Sequence, residues 1–391
     1  MTIVDAEVIV IGAGIAGASL AYFLGPLARV VLLEREIQPG FHSTGRSAAL
    51  FMETYGSPQV RSLTRASRSF LQRPPAGFCA HPLLAPRGAL TIGTADNFER
   101  MRARHDALRS CTENLQWLQG RALHDLVPVL QPQAAAFGIH EPGACDIDAN
   151  ELHQGFLRGH RAQGGQLWCD AQIAAIEYTR GQWHVDCGTR VVRAPLLANA
   201  AGAWVDEVAA MAGVQPIGIH PKRRTAFLFE PPEGVACGHW PFVSDIDETF
   251  YFKPDAGLLL GSPANADLVA AHDVQPEDLD IAYGVHHIEQ ATTLQIQRPL
   301  RSWAGLRSFV GDGDLVGGFA TDHPAFFWVA AQGGYGIQTA AAMGHSCAQL
   351  ILRRAIPAQL EDHGVDALQL SPGRLRARNH GSASASPPAP G

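Results

Sequence analysis

Three glycines and an acid set the first chemical constraint. Gly12-Ala13-Gly14-Ile15-Ala16-Gly17 follows a β-branched run, Val8-Ile9-Val10-Ile11, and precedes a stretch with helical spacing of Ile15, Leu20, Phe23 and Leu24. Gly12 permits a tight turn out of the strand, Gly14 lets the backbone approach a pyrophosphate, and Gly17 lets the helix lie close to the sheet. Unpaired N–H groups at the helix start, reinforced by the helix dipole, attract the phosphates. Glu34 stands 20 residues after Gly14, at the end of a second apolar run, Val30 to Leu33, where a carboxylate can accept from ribose hydroxyls. Strand, helix and acid together read as a dinucleotide site.

Two further segments favour FAD over NAD. Ser43-Thr44-Gly45-Arg46-Ser47-Ala48 lies just past Glu34 and carries small hydroxylated side chains suited to a second phosphate or a flavin edge. Gly333-Gly334-Tyr335-Gly336 opens a late helical run, Ile337 to Leu352. Such a helix start stabilises negative charge developing on a reduced flavin. Arg224, in Pro221-Lys222-Arg223-Arg224, and Arg307, in Trp303-Ala304-Gly305-Leu306-Arg307, could grip a carboxylate bidentately, with the Tyr251 phenol adding a hydrogen bond. Taken singly, each arginine reads as a solvated surface charge.

Other chemistries find no support. The 17 histidines, including His286-His287 with Glu289, show no metal-ligand spacing, and a metal is not expected. There is no Gly-x-Ser-x-Gly elbow and no P-loop. A net charge of -7 supplies no excess of cations for nucleic acid. Seven cysteines lie scattered without a Cys-x-x-Cys pair, as reduced thiols do. Asp5 and Glu7 precede the first apolar run and no basic segment stands before it, so neither a secretory signal nor a membrane span is expected there.

These residues must be positioned by a large scaffold, and 391 residues suffice for two domains sharing a cleft. Val8 to Leu33 forms one βαβ unit, right-handed by rule. Residues 40–56 read as a long loop entering a helix, and the prolines at 74–75 and 82–86 mark a change of domain. Short strands return over 166–197, and 223–261 alternates polar and apolar residues as antiparallel strands do. Phe326 to Ala330 is an apolar strand leading into the late glycines. The Ser-, Ala- and Pro-rich stretch after about Arg374 cannot bury a core and reads as disordered.

With these pieces in view, the chain resembles the D-amino-acid oxidase family of FAD enzymes, and within it the bacterial catabolic D-arginine dehydrogenases. The likeness runs from about residue 5 to 372. It rests on VIGAGIAGAS (10–19), LEREIQPGFHSTGRSAA (33–49), PPAGFCAHPLLAPR (74–87), NAAGAW (199–204), PKRR (221–224), FYFKPDAGLLLGSPANAD (250–267), WAGLRSFV (303–310) and WVAAQGGYGIQT (328–339). The implied fold is an FAD-binding Rossmann-like α/β domain (1–82, 141–218, 311–372) interleaved with a mostly antiparallel β-sheet substrate domain (83–140, 219–310), followed by a disordered tail at 373–391.

The resemblance implies oxidation of a D-amino acid to the imino acid, with hydride passing to flavin N5, and hydrolysis to a 2-oxo acid and ammonia. Arg224, Tyr251 and Arg307 would hold the α-carboxylate and Tyr55 would close the pocket, so that catalysis is chiefly orientation. The FAD positions carried over are Gly12, Gly14, Ala16, Gly17, Glu34, Arg35, Ser43 to Leu50 (with Ala49), Ile173, Ala201, Gly202, Gly333, Gly334, Tyr335, Gly336, Ile337 and Gln338. The side-chain pocket would comprise Leu50, Met52, Ala89, Phe242 and Ser244.

Departures from the D-arginine enzymes shape the substrate expectation. Leu50, Met52 and Ala89 replace a histidine, a threonine and a glutamate, and a guanidinium buried without a carboxylate is costly. Neutral or apolar D-amino acids are therefore expected, with Glu53 as a possible compensating acid. Ser308 stands near the cysteine that links FAD covalently in the related monomeric sarcosine oxidase, so noncovalent FAD is expected. Leu259 stands where that relative has an oxygen-activating lysine, which favours a dehydrogenase over an oxidase. The competing readings are oxidation of an N-alkyl or cyclic amino acid such as sarcosine or proline, a flavin-free NAD-binding or regulatory protein, and a flavin subunit of a hetero-oligomer. A small amino-acid substrate, an electron acceptor with quinone among the candidates, and a cytoplasmic location with inner-membrane contact left open complete the expectation.

Overall fold

The structure is a computed structural model, and it describes residues 2–376. Val8–Ile11 and Val30–Leu33 are buried at every position and lie side by side as parallel strands. Buried on both faces, such strands need no polar alternation, and each Val, Ile or Leu side chain contributes about 1.5–3 kcal/mol. Leu196–Asn199 and Phe326–Ala330 extend this sheet on one side and Gln166–Trp168 on the other, all parallel. Val316–Phe319 closes the edge antiparallel to Phe326–Ala330.

Helix Ile15–Leu24 crosses over between the first two strands. It packs closely on helix Gly336–Ile351 because both surfaces are built of small residues. A Cβ on Gly344 would stand 2.8 Å from Ser19. Helices Pro58–Gln72 and Ala149–Ala162 complete this layer. The opposite face is covered by Thr2–Asp5, Arg190–Ala194, Gln182–Asp186 and Ala175–Thr179, a second sheet.

The other large sheet has nine strands and is antiparallel except where Phe242–Asp245 lies parallel to Ala89–Gly93. Its long strand, His220–Phe229, has period-2 burial. Thr225 and Phe227 turn to helix Asp278–Ala291, while Arg224 and Ala226 face a cavity between the two sheets. Strand Arg301–Phe309 runs antiparallel beside it, with Arg224 opposite Gly305 and Lys222 opposite Arg307. A small sheet of Leu50–Phe51, Leu84–Pro86 and Cys145–Ile147 joins the halves.

Residues 373–376, expected to be disordered, form a helical turn, and the Arg374 guanidinium pairs with Asp312 at 2.9 Å. The remainder of the expected disordered tail lies outside the described residues. Among the described residues no helix is long and apolar enough to cross a membrane.

Candidate active site

The first glycine turn is enforced by contact. A Cβ on Gly12 would lie 2.5 Å from the Ala200 carbonyl oxygen, with φ at +96°, and one on Gly17 would lie 1.8 Å from the Gly12 carbonyl oxygen. Glu34 stabilises the turn, since its carboxylate accepts from Ala13 N at 2.9 Å and Glu36 N at 3.0 Å. A carboxylate keeps further lone pairs for ribose hydroxyls. Helix Ile15–Leu24 has no side-chain cap at Gly14, although Thr44 Oγ1 accepts from Ile15 N at 3.0 Å. His153 was missed by sequence reasoning. Its Nε2 donates to the Ala13 carbonyl at 2.8 Å, and burial holds the ring below the usual imidazole range, so it supports the loop as a neutral donor.

From this turn a cleft runs past Gly14, Glu34, Arg35, Ser43, Thr44, Ile173, Ala201 and Gly202. The Arg35 guanidinium stacks 4.0 Å from the Trp204 ring at its wall. Ala16, Gly17 and Gly45 do not line the cleft; they act through packing, and Gly45 N closes a turn onto the Gly40 carbonyl.

Ser43 and Thr44 also line an inner cavity, with Arg46, Ser47, Ala48, Gly333, Gly334, Gly336 and Ile337. Helix Gly336–Ile351 starts here without a side-chain cap at Tyr335. Several expected contacts prove to tie the fold together. Ser43 Oγ donates to the Leu306 carbonyl at 2.6 Å, and Arg46 donates to the Val274 and Ala304 carbonyls at 3.0 Å. Gln338 Oε1 accepts from Met52 N, and its amide nitrogen donates to Thr64.

The inner cavity shares Arg224, Tyr251 and Arg307 with an outer pocket. Arg224 Nε donates to the Asn265 carbonyl, and Arg307 Nη1 donates to the Tyr55 hydroxyl at 3.4 Å. Neither guanidinium has a carboxylate partner among the described residues. Burial, followed by the charge of Arg307, pulls Arg224 down to about 10. Burial pushes the Tyr251 phenol up, but the charges of Arg307 and then Arg224 outweigh it and leave the group below the usual tyrosine range. Two guanidiniums and a phenol thus meet where the two cavities join, an arrangement that can accept a carboxylate.

Leu50, Met52, Phe242 and Ser244 line the outer pocket, with Ala49 and Gln338. Ala89 does not. It is buried in the sheet opposite Phe242 and Glu141, and Thr91, two residues on, reaches the pocket instead. Arg104, Glu248, Phe250 and Ala264 also line it, so its wall is not wholly apolar. Tyr55, Arg104 and Glu248 continue to the mouth, where Tyr335 packs edge-on to Tyr55 at 5.1 Å. Glu53 points away, bonded to Arg68 at 2.8 Å.

Glu141 is a further positioning group that sequence reasoning missed. Its buried carboxylate accepts from Glu53 N, Thr54 N and the Thr54 hydroxyl, fixing the segment that ends at Tyr55. Leu259, expected near the flavin, is fully buried among Phe227, Phe229 and Phe252, away from the cavity. The dehydrogenase expectation built on it therefore loses its basis.

The close Gly12–Gly17 turn at the head of helix Ile15–Leu24, Glu34 beside the cleft, and the second helix start without a side-chain cap at the inner cavity together fit a dinucleotide. Comparison with known proteins agrees. A protein-family model described as "DAO: FAD dependent oxidoreductase" matches residues 7–350. Mitochondrial dimethylglycine dehydrogenase of Rattus norvegicus is 26% identical over 405 residues, covering 94% of this chain and 45% of that protein. The chain thus spans less than half the length of that relative. Glycine oxidase from Geobacillus kaustophilus superposes with a TM-score of 0.78 at 19% identity, covering 90% of this chain and 95% of that one. L-proline dehydrogenase from P. horikoshii gives 0.82 at 18% identity, covering 96% and 99%. At these identities the structural likeness shows the fold.

Proposed function

The chain belongs to the DAO family of FAD-dependent oxidoreductases, and from that premise we propose that it oxidises a C–N bond of a small amino acid, in the first place an N-alkyl or cyclic one. The observation that carries this reading is the Arg224, Arg307 and Tyr251 receptor at the junction of inner cavity and outer pocket. The relatives reported above are named for dimethylglycine, glycine and proline, and these names support the reading over D-arginine.

Bound FAD supplies the two-electron acceptor. The rest is the work of this chain's own side chains. Arg224 and Arg307 neutralise the substrate carboxylate and fix its plane, and Tyr251 donates a third hydrogen bond. Two nearby cations disfavour an ammonium, so the amine is held neutral with its lone pair available. No side-chain base is then required. Glu34 and the Gly12–Gly17 turn hold the dinucleotide, and Ser308, which cannot form a thioether, accords with noncovalent attachment.

A D-amino acid without a cationic side chain is the second reading. It is favoured by Leu50, Met52 and Phe242 along the outer pocket and by the excess of guanidiniums over carboxylates there, which repels a cationic side chain.

The test is flavin reduction and steady-state turnover with sarcosine, dimethylglycine, glycine, L-proline, D-alanine and D-arginine, run with an artificial acceptor, with and without oxygen. The secondary and tertiary amines are expected to give the highest kcat/KM. D-Arginine as the best substrate would refute the proposal, as would a flavin that no amino acid reduces. Stoichiometric hydrogen peroxide in air would mark an oxidase. Release of flavin on acid precipitation is expected, and its retention would count against noncovalent binding.

A further inference from the structure

We infer that the substrate is an amino dicarboxylate whose second carboxylate is held by Arg104; the inference rests on the amino-acid reading above and narrows it. Arg104 lies on helix Phe98–Leu108, partly buried, and lines both the outer pocket and its mouth. One helical turn earlier Arg100 pairs with Asp247 at 2.6 Å. The Arg104 guanidinium, by contrast, makes no hydrogen bond or ion pair among the described residues. A guanidinium offers five donors, and those of Arg104 at the pocket's outer end are free to meet an acceptor on a ligand.

Charge balance points the same way. The ionic groups lining the outer pocket are three guanidiniums, Arg104, Arg224 and Arg307, against one carboxylate, Glu248. Glu248 is exposed, and its field acts on Arg224. A simple amino acid with a neutral amine brings one negative charge and leaves the site net positive. A dicarboxylate brings two and balances it. A cationic side chain would add to the excess.

The two ends are distinct. Arg224 and Arg307 belong to the inner end, shared with the flavin cavity, and Arg104 to the outer end, shared with the mouth. The α-carboxylate therefore sits inward and the second carboxylate points outward, carried on the side chain or on the amine nitrogen. Thr91 and Ser244, register partners on adjacent strands, line the path between.

The experiment uses the holoenzyme and matched pairs: N-(carboxymethyl)glycine against sarcosine, and D-glutamate against D-glutamine. The diacid of at least one pair is expected to exceed its partner by about tenfold or more in kcat/KM. Arg104→Met should lower kcat/KM for the diacid by about tenfold more than for the monoacid, and Arg104→Lys should restore part of that difference. If monoacids are oxidised as well as or better than diacids, the inference is overturned while the amino-acid reading stands. Equal loss for both members of a pair in Arg104→Met also overturns it. If no member of either pair reduces the flavin while another amino acid of the panel above does, the inference is overturned; if none of them does, the amino-acid reading itself fails. The wild-type ratio decides even if Arg104→Met does not fold.

Discussion

Arg224 Nε donates to the backbone carbonyl of Asn265 at 2.6 Å, and that contact ends a chain of polar groups anchored on buried Asp280. Asn265 Oδ1 accepts from Thr225 N at 2.8 Å, and its amide nitrogen donates to Asp280 at 3.1 Å and Asp267 at 2.8 Å. Asp280 also accepts from Arg223 Nε and the Thr225 hydroxyl. The carboxylate receptor is thus oriented from behind, through the opposite face of its own strand.

Asp280 is accordingly a positioning residue. Asp280→Asn keeps the volume but exchanges an acceptor for a donor, loosening Asn265 and with it the plane of Arg224. A loss on the order of 1–2 kcal/mol in such a network corresponds to roughly 5–30-fold in KM. The expected signature is a raised KM with kcat nearly kept and flavin fully bound. A fall in kcat at unchanged KM would show that Asp280 does not act through carboxylate binding.

Gly334 makes room for the second arginine. A Cβ there would stand 2.9 Å from Arg307 Nη1 and 3.0 Å from its Cζ. Gly334→Ala should therefore displace the guanidinium, raising KM for carboxylate substrates by about tenfold or more. Retention of flavin separates this effect from damage to the cofactor site. An unchanged KM would mean that Arg307 adjusts or does not hold the carboxylate.

The cofactor cradle predicts a different outcome. Gly12→Ala meets both a positive φ and a carbonyl oxygen at 2.5 Å, so the turn cannot close as it stands. Loss of FAD and a lowered Tm are expected together, measured by flavin content per chain and thermal unfolding. A variant that holds stoichiometric flavin at the wild-type Tm would contradict the assigned cradle.

What the sequence made legible follows from how local each feature is. Gly12, Gly14, Gly17 and Glu34 lie in one βαβ unit, so spacing alone located them. The side-chain pocket depends on register between distant strands, and there the reading slipped. Ala89 and Thr91 share a face of Ala89–Gly93, and only the parallel pairing of Thr91 with Ser244 shows which reaches the cavity. Leu259 failed for a related reason, since a strand reverses its faces at every residue. It pairs with Phe229 and Pro254 and faces the core. Arg104 was invisible because the docking of its helix onto the 245–249 turn is set by tertiary contacts such as Arg100 with Asp247.

The receptor also predicts a pH profile. The neutral amine that oxidation needs is gained as pH rises, so kcat/KM should climb on the acid side. On the alkaline side the sign reverses. Tyr251 donates to the carboxylate only while protonated; its pKa lies below the ordinary value because Arg307 and Arg224 outweigh burial. Above that pKa the phenolate repels the substrate. Arg224, pulled down to about 10 by burial and by Arg307, also loses its charge on the alkaline side, and its loss acts in the same direction. The phenol and the guanidinium therefore both contribute to the descending limb. Tyr251→Phe removes the phenol's titration while keeping the ring, so the acid limb should stay and the alkaline limb should move upward, at a higher KM throughout. If the alkaline limb of the Tyr251→Phe variant coincides with that of the wild type, another group controls it and Tyr251 does not sit against the carboxylate.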